Sequence, residues 1–168
     1  DKAVRPSNIM GATKRIAELL TLYYFKKYNL NASIVRFGNV IGSRGSVIPL
    51  FCEQIESGGP VTITHPDMRR YFMSIVEASL LVINASAYSS GGEIYVLDMG
   101  EQYKIIDIAK KLIGLYGFTP EEDIKIEYTG LRPGEKLFEE LFYNKHEVRR
   151  TNNNKIFVLD YEGGNSSE

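Results

Sequence analysis

Helical segments alternate with short apolar strands along this 168-residue chain, and this alternation constrains its fold more than any other feature. Such an order is typical of an α/β architecture, in which helices cover a mostly parallel sheet. Gly, Pro and Asn clusters separate the segments. Apolar periodicity predicts helices at residues 7–29, 47–57, 74–86, 105–116 and from 129–136 to Phe142, with strands at 32–37, 61–64, 93–98, 124–128 and 156–159.

Composition and charge narrow the possible partners and the cellular setting. Lys and Arg number 20 against 21 Asp and Glu, so the net charge gives no reason to expect nucleic acid or an anionic membrane as a partner. No apolar run approaches the roughly 18 residues that a membrane span needs. The single Cys52 and the lack of a signal-peptide pattern favour a reducing, cytoplasmic setting. His65 and His146 lack partners at ligand spacing, so we expect no metal.

Side chains able to do acid–base chemistry cluster in the first fifteen residues. Asp1 and Lys2 form an acid and base pair, and Met10 and Lys14 fall four residues apart on one face of the predicted helix. No Gly-rich phosphate fingerprint follows a first strand, although a complete dinucleotide-binding fold carries one there. We therefore expect the chain to be one part of a larger α/β fold.

Several motifs resemble a known family. The stretches Asp1-Lys2-Ala-Val, Met10-Gly-Ala-Thr-Lys14 and Arg36-Phe-Gly-Asn39-Val resemble the extended short-chain dehydrogenase/reductases. Three further motifs are similar to the UDP-N-acetylglucosamine 4,6-dehydratases of the polysaccharide (capsule) biosynthesis group. They are Gly42-Ser-Arg-Gly-Ser-Val-Ile-Pro49, His65-Pro-Asp-Met-Arg-Arg70-Tyr-Phe and Leu131-Arg-Pro-Gly-Glu-Lys136. The resemblance covers nearly all of residues 1–145.

The resemblance implies an incomplete Rossmann-like fold. Members of this family have an N-terminal Rossmann half that binds NAD or NADP and a smaller C-terminal half that binds the nucleotide-sugar. Residues 1–46 would then be the catalytic helix, strand and loop of the truncated Rossmann half. Residues 47–160 would be mainly the substrate-binding part with some returning Rossmann elements, and residues 161–168 a disordered tail.

The same resemblance sets expectations for activity and partners. We expect a fragment that is inactive alone and binds no cofactor by itself. Its partners would be a UDP-sugar ligand and the missing N-terminal Rossmann half. Apolar surface left by a missing half would favour a homo-oligomer. The long branch of the group is anchored to the bacterial inner membrane by upstream spans, which would place this part in the cytoplasm without direct membrane contact.

Met10 stands where the family usually has its catalytic Tyr. A thioether cannot release a proton, so Met10 cannot be the base that accompanies hydride removal from carbon 4 of the sugar. The same Met occurs in the long branch; the alternative is that Met10 is ordinary helix packing in a degenerate relative. Lys14 matches the residue on the nicotinamide ribose hydroxyls, whereas a lone helical Lys is usually solvated.

Asp1 and Lys2 match the family's elimination pair. A neutral Lys amine can remove the carbon 5 proton when burial or a neighbouring cation lowers its pKa, and a protonated Asp can protonate the leaving hydroxyl. Without the resemblance, two charged residues at this position would be expected to be solvated.

The remaining site residues follow from the matching motifs. The resemblance implies that Phe37, Gly38, Asn39 and Val40 contact the cofactor, and that Asn39 also contacts substrate. Arg70 and Arg132 resemble diphosphate ligands, because an Arg fork can hydrogen-bond two phosphate oxygens at once. Val47, Ile48 and Pro49 would wall the uracil pocket, and Glu135 would accept ribose hydroxyls. Each assignment has an alternative. Asn39 would simply form a turn, and Arg70 and Arg132 would be surface residues. Residues 47–49 would be a buried helix start, and Glu135 would match the dipole of a helix.

Three functions remain open. The first is a nucleotide-sugar 4,6-dehydratase whose intact form oxidises carbon 4, eliminates water and returns the hydride to carbon 6. A nucleotide-sugar epimerase would share Lys14 and Asn39 but has no need of Asp1 and Lys2 as an elimination pair. The third is a non-catalytic binding or assembly module.

Overall fold

The structure, a computed structural model, describes residues 2–142 and 148–159. The chain forms two compact units that interleave in sequence. Of the described residues, unit 1 contains 2–37, 76–98, 140–142 and 148–159, and unit 2 contains Gly38–Ile75 and Met99–Glu139. The functional division predicted at residues 46 and 160 stays a prediction.

The described residues form four helices and ten strands, most of the strands very short. The helices are α1 (Ile9–Tyr28), α2 (Val47–Glu56), α3 (Ile75–Ala87) and α4 (Ile105–Leu115). The strands are β1 (Ile34–Arg36), β2 (Asn39–Val40), β3 (Val61–Ile63), β4 (Arg69–Arg70), β5 (Phe72–Met73), β6 (Ile94–Leu97), β7 (Tyr103–Lys104), β8 (Ile126–Tyr128), β9 (Val148–Arg150) and β10 (Ile156–Leu159). None of these helices is long and apolar enough to span a bilayer.

Unit 1 is built on a four-stranded sheet in the order β1-β6-β10-β9. Strand β1 runs parallel to β6, and β10 runs antiparallel to both β6 and β9. All four residues of β6 are buried, which explains its uninterrupted apolar sequence Ile-Tyr-Val-Leu. Strand β6, one of the two inner strands, thus contributes four residues to the core of unit 1.

Helix α1 carries its apolar residues on the surface of unit 1. It begins after Asn8, whose side chain accepts a hydrogen bond from the Gly11 N–H, and ends at Asn29 in the left-handed conformation. Its buried residues are Gly11 and Glu18. The apolar side chains that suggested an amphipathic helix are 46% to 84% exposed; they are Ile9, Ile16, Leu19, Leu20, Tyr23 and Tyr24.

Unit 2 has a separate hydrophobic core between two helices and a strand pair. Helices α2 and α4 pack with the parallel strands β3 and β8. The buried apolar side chains of this core are Phe51, Ile55, Val61, Ile63, Met68, Ile105, Ala109, Ile113, Ile124 and Ile126. The parallel pair β2 with β5 and the antiparallel pair β4 with β7 complete the unit.

Most predicted elements agree with the structure to within two residues at each end. The helix predicted from 129–136 to Phe142 is wrong, because these residues form turns and bends. Gly130 and Gly134 adopt positive φ angles of 83° and 74°, and Pro133 lies between them. The polar sequence of residues 143–155 predicts irregular structure, but Val148–Arg150 form the short strand β9. Residues 143–147 and the predicted tail lie outside the described residues.

Candidate functional site

Unit 2 contains a cavity of about 690 Å³, here called the unit 2 cavity, and it collects most of the predicted substrate residues. Its volume lies within the range of roughly 300 to 1,000 Å³ that is typical of small-molecule sites. The residues lining it are Asn39, Gly45, Ser46, Val47, Leu50, Phe51, Thr62, Ile63, Thr64, Met68, Arg70, Phe72, Ile105, Thr129, Gly130, Leu131, Arg132, Pro133 and Glu135.

Arg70 ties the loop of residues 129–139 to strand β4. Its guanidinium NH1 donates to the carbonyl oxygens of Arg69 (2.7 Å) and Leu137 (3.1 Å), and NH2 donates to that of Lys136 (2.8 Å). Burial lowers the pKa of the Arg70 guanidinium, and the Glu139 and Glu135 carboxylates oppose this shift. With two carboxylates beside it, the guanidinium stays a cation at the cavity wall.

Glu135, which lines the same cavity, is held by Thr64 and by the backbone of Arg132. Its carboxylate accepts hydrogen bonds from the Thr64 hydroxyl and the Arg132 backbone N–H, both at 3.2 Å, and lies 3.7 Å from Arg70 NH2. The Arg132 side chain is exposed. The structure therefore brings the predicted residues Arg70, Arg132 and Glu135 to one cavity, although their roles stay predictions.

Glu139, which sequence reasoning missed, lies buried behind Asn39. The Asn39 amino group donates to the Tyr71 carbonyl oxygen (3.1 Å) and to Glu139 Oε1 (2.7 Å). Glu139 Oε2 accepts the Tyr71 N–H at 2.8 Å, and Glu139 Oε1 lies 3.6 Å from Arg70 Nε. No local pattern in the sequence distinguishes Glu139 from its neighbour Glu140, so only the fold reveals it.

Gly38 is required by close packing in unit 2. A Cβ atom at this position would lie 2.8 Å from Tyr71 Cβ, 3.2 Å from Met99 Cε and 3.6 Å from Glu139 Oε2. Val40, another residue of the predicted cofactor set, pairs with Met73 between β2 and β5. The structure thus gives Gly38 and Val40 packing roles, and their predicted cofactor contacts stay predictions.

The N-terminus of α2 opens onto the unit 2 cavity. Ser46 is its N-cap but makes no side-chain capping bond, and its hydroxyl is buried without a partner among the described residues. The first N–H groups of a helix carry a partial positive charge that suits an anion. Of the predicted uracil wall, Val47 lines the cavity while Ile48 and Pro49 do not.

The helical period explains which residues of α2 reach the cavity. Val47, Leu50 and Phe51 line it, as expected for residues three and four positions apart on one helix face. The prediction from sequence placed three consecutive residues, 47–49, on one wall of the pocket. A helix turns about 100° per residue, so Ile48 and Pro49 project elsewhere.

Unit 1 contains a second cavity of about 340 Å³, here called the unit 1 cavity. Lys2 and Lys14 both line it, together with Phe37. Met10 lies on the same helix as Lys14 but is 53% exposed and outside the cavity lining. Asp1 lies outside the described residues. The two predicted lysines are thus brought together, whereas Met10 is not part of their cavity.

A buried ion pair forms one wall of the unit 1 cavity. Arg36 Nε donates to Glu18 Oε1 at 2.6 Å and Arg36 NH2 to Glu18 Oε2 at 2.7 Å, while Arg15 NH1 donates to Oε2 at 2.8 Å. Burial raises the pKa of the Glu18 carboxyl, but the bonds and charges of Arg36 and Arg15 outweigh it and hold the pKa below its ordinary value. Among the described residues, no three His, Cys, Asp or Glu side chains are grouped to hold a metal.

A family profile described as "Polysaccharide biosynthesis protein" matches residues 1–161. The chain belongs to this family. The capsular polysaccharide biosynthesis protein CapD of Staphylococcus aureus is 63% identical over 150 residues, which are 88% of this chain and 24% of CapD. A UDP-glucose 4-epimerase of Rickettsia canadensis is 40% identical over 97% of this chain and 47% of its own length.

Solved structures share the fold of this chain. Pen from Bacillus thuringiensis superposes with a TM-score of 0.82 at 36% identity, over 94% of this chain and 49% of Pen. The dTDP-glucose 4,6-dehydratase DesIV of Streptomyces venezuelae, solved with NAD bound, has a TM-score of 0.69 at 20% identity over 79% of this chain and 42% of its own. The chain thus spans a quarter to a half of these proteins. The predicted family and the Rossmann-like α/β fold are confirmed.

Proposed function

We propose that this chain is the nucleotide-sugar-binding part of a UDP-N-acetylglucosamine 4,6-dehydratase that serves surface polysaccharide biosynthesis. The observation that carries the proposal is the unit 2 cavity, where Arg70, Arg132 and Glu135 meet the N-terminus of α2. Two guanidinium groups and a helix N-terminus suit a diphosphate. The family membership and the identity to CapD support a role in polysaccharide biosynthesis.

The remaining groups of this cavity suit the rest of a UDP-sugar. Glu135 offers carboxylate oxygens that accept hydrogen bonds from ribose hydroxyls. Val47, Leu50 and Phe51 give an apolar wall for a flat base. The ligand class is therefore a uridine diphosphate sugar, with the acetamido sugar as its specific member.

The cofactor is NAD or NADP in the whole protein. The ammonium group of Lys14 suits the hydroxyls of a nicotinamide ribose, and Phe37 in the same cavity offers an apolar surface. Gly38, Asn39 and Val40 complete the proposed set. A bound nicotinamide supplies reversible hydride acceptance, which allows oxidation at carbon 4 first and reduction at carbon 6 last.

The two proton transfers of the elimination step fall to side chains of the chain itself. Lys2 would remove the carbon 5 proton, and Asp1 would protonate the hydroxyl that leaves carbon 6 as water. Lys2 lines the unit 1 cavity with Lys14. Met10 has no part in these proton transfers. We propose instead that a Met at this position is typical of the long, membrane-anchored branch.

The decisive experiment is product analysis of the whole protein with UDP-N-acetylglucosamine and NAD or NADP. A product lighter by the mass of one water supports the dehydratase. An unchanged mass with altered sugar configuration would instead support the second candidate, a nucleotide-sugar epimerase, which is favoured by the 40% identity to the Rickettsia canadensis enzyme. Lys2→Met should remove the elimination and spare UDP binding.

Calorimetry on this chain tests the substrate site separately. We expect UDP and UDP-N-acetylglucosamine to bind, whereas NAD should not, because we propose that the chain lacks a cofactor site by itself. Absence of heat with either nucleotide would contradict a preformed substrate site and favour a non-catalytic assembly module. Tight NAD binding would contradict the proposed division of the binding sites.

The chain is also proposed to form a homo-oligomer in a cytoplasmic setting, the whole protein being anchored to the bacterial inner membrane. The exposed apolar face of α1 supports association, with Leu20 and Tyr24 51% and 47% exposed. Leu20→Glu should shift the sedimentation coefficient of the chain to that of a monomer. A coefficient independent of this change would argue against association through α1.

A further inference from the structure

Asn39 is held by acceptors on both sides of its amino group, and this arrangement decides what it can offer a ligand. Both Nδ2 hydrogens are used, one on the Tyr71 carbonyl oxygen at 3.1 Å and one on Glu139 Oε1 at 2.7 Å. A carbonyl and a carboxylate accept hydrogen bonds and cannot donate them. A flipped amide would face its oxygen against two acceptors, so the amino group must point inward.

The Oδ1 end of the Asn39 amide is the end left for a ligand of the unit 2 cavity. Asn39 lines this cavity. Its Oδ1 receives no hydrogen bond from any residue in the described ranges 2–142 and 148–159. This oxygen is also not fully buried. The group that Asn39 presents to a ligand is therefore an acceptor.

Glu139 is the residue that imposes this polarity. Its side chain is only 2% exposed and does not line the cavity, so it cannot touch a ligand there. Its second oxygen accepts the Tyr71 N–H at 2.8 Å, which holds the carboxylate in place.

We propose that Glu139 is a positioning residue that fixes Asn39 as a hydrogen-bond acceptor for an O–H or N–H group of the nucleotide-sugar. The proposal rests on the proposed function of the unit 2 cavity. Diphosphate oxygens accept hydrogen bonds, so Asn39 does not bind the diphosphate through its amide. The donor belongs to a sugar hydroxyl or acetamido group, or to the uridine.

A double-mutant cycle on this chain tests the proposal, with calorimetric titration of UDP and UDP-N-acetylglucosamine. Glu139→Gln has one acceptor where two are needed and should weaken UDP-N-acetylglucosamine binding about tenfold. The same change in an Asn39→Ser background should have almost no further effect, because Glu139 acts through Asn39. Equal losses in both backgrounds would overturn the proposal, since they would indicate general structural damage.

The two ligands distinguish the source of the donor. Coupling between Asn39 and Glu139 that appears only with UDP-N-acetylglucosamine places the donor on the sugar, and coupling with both ligands places it on the uridine. Glu140→Gln is the matched control, because Glu140 is the adjacent glutamate and pairs with exposed Arg5. It should bind both ligands as the unmodified chain does.

A second measurement works even where Glu139→Gln fails to fold. In the ¹⁵N-labelled chain, the two side-chain amide protons of Asn39, assigned by their loss in Asn39→Ser, should exchange slowly with and without UDP-N-acetylglucosamine. Fast exchange in either state would overturn the proposal, because the amino group would then face solvent or ligand. A chain that binds neither nucleotide but keeps these protons protected contradicts the proposed function and leaves the amide orientation supported.

Discussion

Two buried glutamates, one in each unit, lie beside an arginine and yet serve different ends. Glu18 in unit 1 and Glu139 in unit 2 are both 5% exposed. Glu18 receives two bonds from Arg36, whose side chain is only 3% exposed, and a third from Arg15. Glu139 stands 3.6 Å from Arg70 and spends its oxygens on Asn39 and Tyr71.

The difference shows that the partners of a buried carboxylate decide its role more than its burial does. The side-chain bonds to Glu18 all come from arginines, so removing the glutamate leaves a buried guanidinium charge uncompensated. Glu139 instead orients groups that border a cavity, and its arginine is 18% exposed and turned to backbone carbonyls. Glu18 lines the unit 1 cavity together with Arg36, whereas Glu139 reaches the unit 2 cavity only through Asn39.

The largest expected effect comes from breaking the buried Glu18–Arg36 ion pair. Glu18→Gln leaves the buried Arg36 guanidinium without its counter-ion and should lower the free energy of unfolding by about 3 to 5 kcal/mol. Urea denaturation followed by circular dichroism measures it. The control is Glu122→Gln at an exposed position, which should change stability by less than about 0.5 kcal/mol. A loss as small as the control's would show that the Glu18 pair contributes nothing.

Next in size is overpacking behind Asn39. Gly38→Ala forces a Cβ to within 2.8 Å of Tyr71 Cβ, and such crowding should cost about 1 to 3 kcal/mol. The same substitution at Gly114, in helix α4 with open space around it, should instead stabilise the chain by up to about 1 kcal/mol. Thermal unfolding compares the two, and a stabilising Gly38→Ala would contradict the close packing.

A smaller effect is expected from a substitution in the unit 2 cavity. Arg70→Lys keeps the charge but cannot reproduce donation to three carbonyl oxygens, so UDP affinity should fall about tenfold. Arg69→Lys is the matched control on the neighbouring residue. Titration calorimetry measures both, and equal affinities for the two variants would remove Arg70 from the ligand site.

The smallest expected effect is the response of Glu18 to acid. The folded-state pKa of Glu18 is depressed, so its contribution to stability is present above the unfolded value of about 4.3 and is lost as the pH falls below it through the folded value. Urea midpoints from pH 7 to pH 3 should therefore fall less steeply in Glu18→Gln than in the unmodified chain. Parallel pH profiles would contradict the depressed pKa.

The features that sequence could predict are local ones. Periodicity placed α2, α4 and β10 within two residues of their bounds, and contiguous motifs led to the family. Arg70, Arg132 and Glu135 stand in such motifs and meet at one cavity.

The features that sequence missed depend on residues far apart in the chain. Glu139 bonds to Asn39 100 residues away, and Arg36 to Glu18 18 residues away, so no window of local pattern contains either pair. The wrongly predicted helix after residue 129 has the same origin. Two of its backbone carbonyl oxygens accept hydrogen bonds from Arg70, which lies on β4, far away in the sequence.

The bonds from Arg70 to the carbonyl oxygens of Lys136 and Leu137 have a consequence for how this loop can change. Every amino acid carries the same carbonyl, so the arginine recognises the path of the chain and is blind to the side chains along it. Substitutions at positions 136 and 137 leave this anchor in place. We therefore expect side-chain changes at these two positions to alter the surface of the loop while its course stays constant.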